Sequence, residues 1–312
     1  MAPSNPPDSA ARLISEMLKA EFDRLKPKTI EEANTIAHSL QDRYNRMPQN
    51  ELGGLSPEQV TVLLSHGLLD SPGTLDESLT VEDLAGVRMF HNAACLLTTL
   101  RELGPTKATA TGAFNRMIAA RMFERFQIDE SDRRYVTTYK RIINQGDVPH
   151  LELLRHLTVV AGLVLFRHRE LKITRRGETL LQPARAGELF ALLFRRMFQR
   201  LNLAAFDGMP DAPIVQHHIA FALYQIGRRA NDWVNVDDVA PHLFLPSALP
   251  LLTPRFDGDP VPSYAYLRYV RWLREFGLVE VENESSFREP RRFRKTALFD
   301  RFIAFDLPPA VG

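Results

Sequence analysis

The side chains best placed to do chemistry in this sequence are clustered arginines and lysines. Arg288, Arg291, Arg292, Arg294 and Lys295 fall within eight positions. A second group comprises Arg155, Arg167, Arg169, Lys172, Arg175 and Arg176. Arginine pairs with phosphate in a planar, two-pronged geometry, and such contacts supply most sequence-independent affinity for DNA. Catalytic patterns are mostly missing. There is no phosphate-binding glycine loop, no Gly-x-Ser-x-Gly and no His-Glu-x-x-His. Gly104-Pro105-Thr106-Lys107 lacks the glycine that would precede the lysine of a phosphate loop. His91 and Cys95 are one helical turn apart, but two ligands without a third favour a packed pair over a metal site. Adjacent His217 and His218 would point about 100° apart on a helix, so they do not share a metal. Asp257 and Asp259 sit in a Gly/Pro turn, where solvated carboxylates are the ordinary occupants. No cofactor or metal is expected.

The elements that must position the basic groups follow from periodicity and caps. Leu13, Met17, Leu18, Phe22 and Leu25 recur at helical spacing, and Pro27 stops that helix. Thr29 opens a second helix, and Ser56-Pro57-Glu58 a third. Residues 70–83 are polar and turn-rich and predict a linker. From residue 84 a theme recurs. A helix ends at glycine, a short polar or basic stretch follows, and threonine opens another helix. The glycines are Gly104, Gly162 and Gly277; the threonines are Thr109, Thr174 and Thr296. Leu163 to Ile173 alternates around Arg167-His168-Arg169 and predicts two short strands with a basic turn. On an ideal helix Arg268, Arg271 and Arg274 span one arc, with Leu267 inside it. Tyr266, Tyr269, Val270, Trp272 and Leu273 span the opposite arc.

Helix, glycine, β-hairpin and threonine-capped helix resemble the third helix and wing of the winged-helix family, over residues 131–182 and 213–305. The resemblance implies first helices at Tyr135–Asn144 and His217–Arg229, Trp233–Phe244 as the second helix of the last unit, and a last hairpin of strands Gly277–Val281 and Phe293–Lys295 around a Glu282–Arg292 wing. It implies duplex DNA as the partner, met by third helices in the major groove and by basic wings on the backbone. The Gly104–Thr109 copy has no room for a wing and reads as a degenerate unit. The whole chain also resembles a family of uncharacterised bacterial proteins that share a Gly54-Leu55-Ser56-Pro57-Glu58-Gln59 segment and a late Arg294-Lys295-Thr296-Ala297-Leu298 segment. That likeness adds fold and no activity.

The fold class expected is mainly α, a helical N-terminal region followed by two winged-helix-like units, each with a small β-hairpin wing. The boundaries expected are 1–80, 81–130, 131–212 and 213–312.

Composition bounds the function. The chain has 312 residues, with 39 Lys+Arg against 38 Asp+Glu, so whole-surface attraction to a polyanion is excluded. By segment the balance differs: residues 1–80 carry −5, 131–200 carry +8, 201–260 carry −4 and 261–312 carry +2. This asymmetry fits an anionic partner, and fits equally well domains that attract each other. Cys95 is the only cysteine, so no intrachain disulfide forms, which suits a reducing cytosol. Met1 to Ala11 lacks the apolar core of a secretory signal. The longest apolar run, Leu157 to Phe166, is far short of the roughly 20 residues of a membrane span. The expected protein is therefore a cytoplasmic, non-catalytic DNA-binding protein, a candidate regulator. The alternative is a scaffold whose units bind partner proteins or each other. Its mark is arginines engaged by carboxylates across unit boundaries.

Overall fold

The computed structural model describes residues 6–310, except 66, 67, 72, 256 and 285–288. The chain is mainly helical, with two small three-stranded antiparallel sheets. At the N-terminus α1 (Pro6–Leu25) pairs with α2 (Ile30–Arg46). Thr29 caps α2 by accepting from the Glu32 amide. In α3 (Pro57–Leu63), Ser56 and Gln59 form a reciprocal capping box.

Two units of the same plan follow. In the first, α4 (Arg88–Leu103) leads to strand β1 (Thr106–Lys107), α5 (Arg116–Arg125) and α6 (Glu130–Tyr139). Then come α7 (Leu151–Val160), the hairpin β2 (Val164–Arg167) and β3 (Glu170–Ile173), and α8 (Arg175–Leu180). Helices α9 (Ala186–Gln199), α10 (Ala204–Asp207) and α11 (Pro213–His217) connect to the second unit. That unit runs through α12 (Ile219–Arg229), β4 (Val234–Asn235), α13 (Val236–Val239), α14 (Pro260–Tyr264) and α15 (Arg271–Glu275). It ends in the hairpin β5 (Val279–Glu282) and β6 (Arg292–Lys295), and α16 (Ala297–Phe302).

The sheet orders are β1-β3-β2 and β4-β6-β5, so each hairpin takes a third strand from just after its unit's first helix. The joints correspond bond for bond. α7 and α15 end in left-handed glycines, Gly162 and Gly277. The amides of Leu163 and Leu278 reach back to Thr158 and Leu273 carbonyls. Thr174 and Thr296 each cap the following helix and donate from Oγ1 to the carbonyl of that glycine at 2.8 Å.

This pairing redraws the expected boundaries. Residues 81–130 supply the first helix and edge strand of the first sheet, because Thr106 pairs with Leu171. The Gly104–Thr109 copy is therefore the front of the first unit. Residues 135–139 belong to α6, and α4 is the first helix. Where one helix was expected over Trp233–Phe244, a strand, the four-residue α13 and a 3-10 turn follow each other.

One continuous core runs from Leu69 to Ile303 and joins both units. Its centre is aromatic: Phe190, Phe194, Phe198, Phe276 and Phe302 pack with ring centroids between 4.6 and 6.2 Å. The expected linker at 70–83 is part of this packing. Leu75 and Leu79 are buried, and the Asp76 amide and Thr74 carbonyl pair with Phe302 and Ala304. A second core sets Leu55, Val60 and Leu63 against Ala220, Phe221 and Leu245. The Gly54–Gln59 segment docks there. Gln59 donates to the Pro308 carbonyl at 2.8 Å, and Arg228 to the Gly53 carbonyl at 3.0 Å. Among the described residues no helix is long and apolar enough to cross a membrane.

Candidate nucleic-acid interface

The first hairpin turns through two residues, His168 and Arg169, with φ of 51° and 60°. Left-handed geometry at both positions matches the twist of the strands and aims the tip outward. Across the sheet Leu165 faces Lys172, Arg167 faces Glu170, and Lys107 faces Glu170 from the other side. Alternation therefore puts Lys107, Arg167 and Lys172 on one outer face, while Val164, Leu171 and Thr106 turn inward and are buried. Arg175 and Arg176 open α8 beside this face. Arg167, Arg169, Lys172, Arg175 and Arg176 are all exposed. Their side chains make no ion pair among the described residues, where Glu170 is the acid directly across the sheet. The sequence reading missed Lys107. Its strand is two residues long, too short for any periodicity to reveal.

The second hairpin shares the topology and differs in charge. Arg292 and Arg294 do point the same way, as alternation requires. Yet Arg294 pairs with Glu280 at 2.7 Å, and Arg292 with Glu282 at 3.8 Å. Both guanidiniums also lie over the Trp233 ring, at 5.9 Å for Arg292 and 4.7 Å for Arg294. Lys295 is bound by Asp300 at 2.6 Å and by the Gly227 carbonyl. Arg291 is exposed and stacks on Tyr266 at 4.5 Å. Arg288 lies outside the described residues. Among the described residues the strand face is close to neutral, so Arg292, Arg294 and Lys295 are not the free basic groups expected of the wing.

The third helices are corrected more strongly. Backbone from Ala265 to Val270 is a π-helix, whose i to i+5 bonding shifts the phase that a 100° wheel assumes. Arg268 is fully buried and paired with Asp207 of α10. Arg274 is bound by Asp129 at 3.0 Å and by Glu284 at 2.7 Å. Arg88 of α4 reaches Asp129 at 2.7 Å and Glu275 at 2.9 Å. Glu275 is 2% exposed, and burial raises its carboxyl to about 7 against the pull of Arg88 and Arg274. Facing it, His150 at the start of α7 packs edge-on against Trp272 at 5.6 Å. Burial, with the charges of Arg271 and Arg88, lowers that imidazole to about 4. On α7, Arg155 contacts His156 Nε2 at 2.7 Å, and the His156 ring packs on Phe206. So α7 and α15 face a common seam lined by α10, and their basic groups are not a free surface.

The other candidates are structural. His91 Nε2 and Cys95 Sγ stand 3.4 Å apart and both reach the Arg125 carbonyl. Asp259 caps α14. His218 is buried, which lowers its imidazole to about 4. Among the described residues no group of three or more His, Cys, Asp or Glu side chains is placed to hold a metal.

Among the described residues, fold and site together define a mainly helical protein of two helix–hairpin units that share one core, with the basic side chains of the first hairpin face in no ion pair. Against known families, the Y4jL N-terminal domain matches residues 85–187. That range covers the first unit from the start of α4 to the beginning of α9, one third of the chain. No curated protein and no solved structure matches the chain.

Proposed function

We propose that this chain is a non-catalytic, cytosolic DNA-binding protein that grips the phosphate backbone through its first hairpin and the start of α8. In this reading the two units are winged helices, the hairpin is a wing, and the third helices are turned toward each other. The observation that carries it is the group Arg167, Arg169, Lys172, Arg175 and Arg176, all exposed and without an ion pair among the described residues. With their basic groups in the seam, the third helices are not offered to the major groove. Binding is therefore to backbone, indifferent to sequence. Fluorescence anisotropy on a labelled duplex tests it. With five phosphates neutralised, affinity should fall about a hundredfold or more between 50 and 200 mM salt. No binding at 50 mM salt, or binding without a salt slope, overturns the proposal.

A second reading has its own support. Arg88–Glu275 and Arg274–Asp129 cross from one unit to the other, which is the mark expected of a scaffold. There the basic hairpin would take an acidic protein segment. Binding to an acidic peptide that duplex DNA fails to displace would favour it.

A further inference from the structure

Helices α8 and α9 face each other across a cleft of about 480 Å³ that opens to solvent. The side chains lining it fall in two stripes. From α8 come Arg175 and Arg176 and, one turn later, Thr179 and Leu180. From α9 come Glu188, Leu192 and Arg195, spaced as i, i+4 and i+7. Residues at these spacings share one face of a helix. Leu180 and Leu192 are buried and supply the apolar part of the lining.

The charges in the cleft are unequal. Arg185, in the turn between the helices, is held by both carboxylate oxygens of Glu188. Arg195, at the far end of the α9 stripe, is 14% exposed and fixed in place. It meets Glu77 at 2.6 Å, the Leu69 carbonyl at 2.6 Å and Asp70 at 3.7 Å. Arg175 and Arg176 are exposed, and neither makes an ion pair among the described residues. The two carboxylates of the lining are therefore engaged by Arg185 and Arg195, and the α8 arginines bring two uncompensated positive charges to the cleft. Glu77 gives one oxygen to Arg195. A carboxylate has about four acceptor sites, so Glu77 and Glu188 can still accept from hydroxyl groups.

We propose that this cleft binds a free sugar phosphate, with its phosphate on Arg175 and Arg176 and its hydroxyls donating to Glu77 and Glu188. Guanidinium forks match phosphate oxygens in pairs. The volume is more than a bare phosphate fills and lies in the range of small-ligand pockets. Seven of the nine lining residues are polar or charged, which suits a hydroxylated body better than an apolar one. The site shares Arg175 and Arg176 with the proposed DNA contact and does not rest on it.

Calorimetric titration of the full chain with ribose 5-phosphate at fixed ionic strength tests the proposal. Saturable binding is expected, half-complete below about 1 mM. Ribose should not bind, and inorganic phosphate should bind at least about tenfold more weakly. Arg175→Gln with Arg176→Gln should weaken binding of ribose 5-phosphate at least about tenfold, and both side chains are exposed, so the fold is retained. Thr179→Trp keeps every charge and fills the cleft, and should abolish binding. Arg292→Gln with Arg294→Gln removes two charges elsewhere and should leave it intact. No binding up to about 20 mM, binding that survives Arg175→Gln with Arg176→Gln, or inorganic phosphate binding as tightly as ribose 5-phosphate each overturns the proposal. No DNA is present in this titration, so its failure is distinct from failure of the DNA reading.

Discussion

Arg88 and Glu275 are 187 positions apart in sequence, and the Arg88 Nη1 donates to Glu275 Oε1 at 2.9 Å. This bond ties the first helix of one unit to the last turn of the other's third helix. Asp129 completes the joint by accepting from both Arg88 and Arg274. It bridges two units that also share one apolar core.

Breaking that pair on one side should be costly. Arg88→Ala leaves Glu275 buried with only the longer contacts to Arg274 and His150, and is expected to lower stability by about 3 kcal/mol. The double replacement Arg88→Met with Glu275→Leu should recover most of the loss, because neither charge is left behind. Urea unfolding of both variants checks this. A double variant no more stable than the single one would contradict it.

The raised carboxyl of Glu275 makes stability depend on pH. Its folded pKa is about 7 against an ordinary 4.5, so the native state holds the proton more tightly. The contribution is full below pH 4.5 and is lost as pH rises through 7. Relative to Glu275→Gln, the wild type should lose about 3 kcal/mol across that window. His150 acts in the opposite direction. Its folded pKa of about 4 lies below the ordinary 6.5, so its contribution is present above 6.5 and lost as pH falls toward 4. Unfolding curves from pH 4.5 to 7.5 in the wild type and Glu275→Gln read the difference.

The two hairpins should separate in a DNA-binding assay. Arg167→Gln, Arg169→Gln and Lys172→Gln together should lower the salt slope by about 3 and weaken binding to all duplexes alike. Arg292→Gln with Arg294→Gln should leave the slope unchanged, since both are already paired with Glu282 and Glu280. Anisotropy at several salt concentrations distinguishes them.

Gly187 sits where α9 meets the strap at 74–79. A Cβ there would come within 2.2 Å of the Glu77 carbonyl oxygen and 2.7 Å of the Leu79 amide. Gly187→Ala should lower stability by about 2 kcal/mol. Gly146→Ala, where nothing lies within 4 Å, should be near neutral. Thermal unfolding compares the two.

Much of the fold was legible along the chain. Ser56, Thr29, Thr174 and Thr296 cap the helices their neighbours announced. Gly162 and Gly277 end helices as their left-handed φ requires, and the first hairpin forms where alternation predicted it. Local bonding fixes such features, so local sequence carries them. β1 escaped notice because its only signal is the partner Leu171, 65 positions away.

The candidate site divided along the same line. Sequence alone determined that basic residues gather in residues 155–176 and 268–295, because composition is read directly. It could not say which are free. Arg167, Arg169, Lys172, Arg175 and Arg176 remain open: among the described residues none is held in an ion pair, with Glu170 across the hairpin from Arg167 as the nearest acid in register. Arg268 and Arg274 are claimed by Asp207 and Asp129, which lie 61 and 145 positions upstream. An ion pair depends on distance in space and on exclusion of water, and only the tertiary packing of α7, α10 and α15 sets either one.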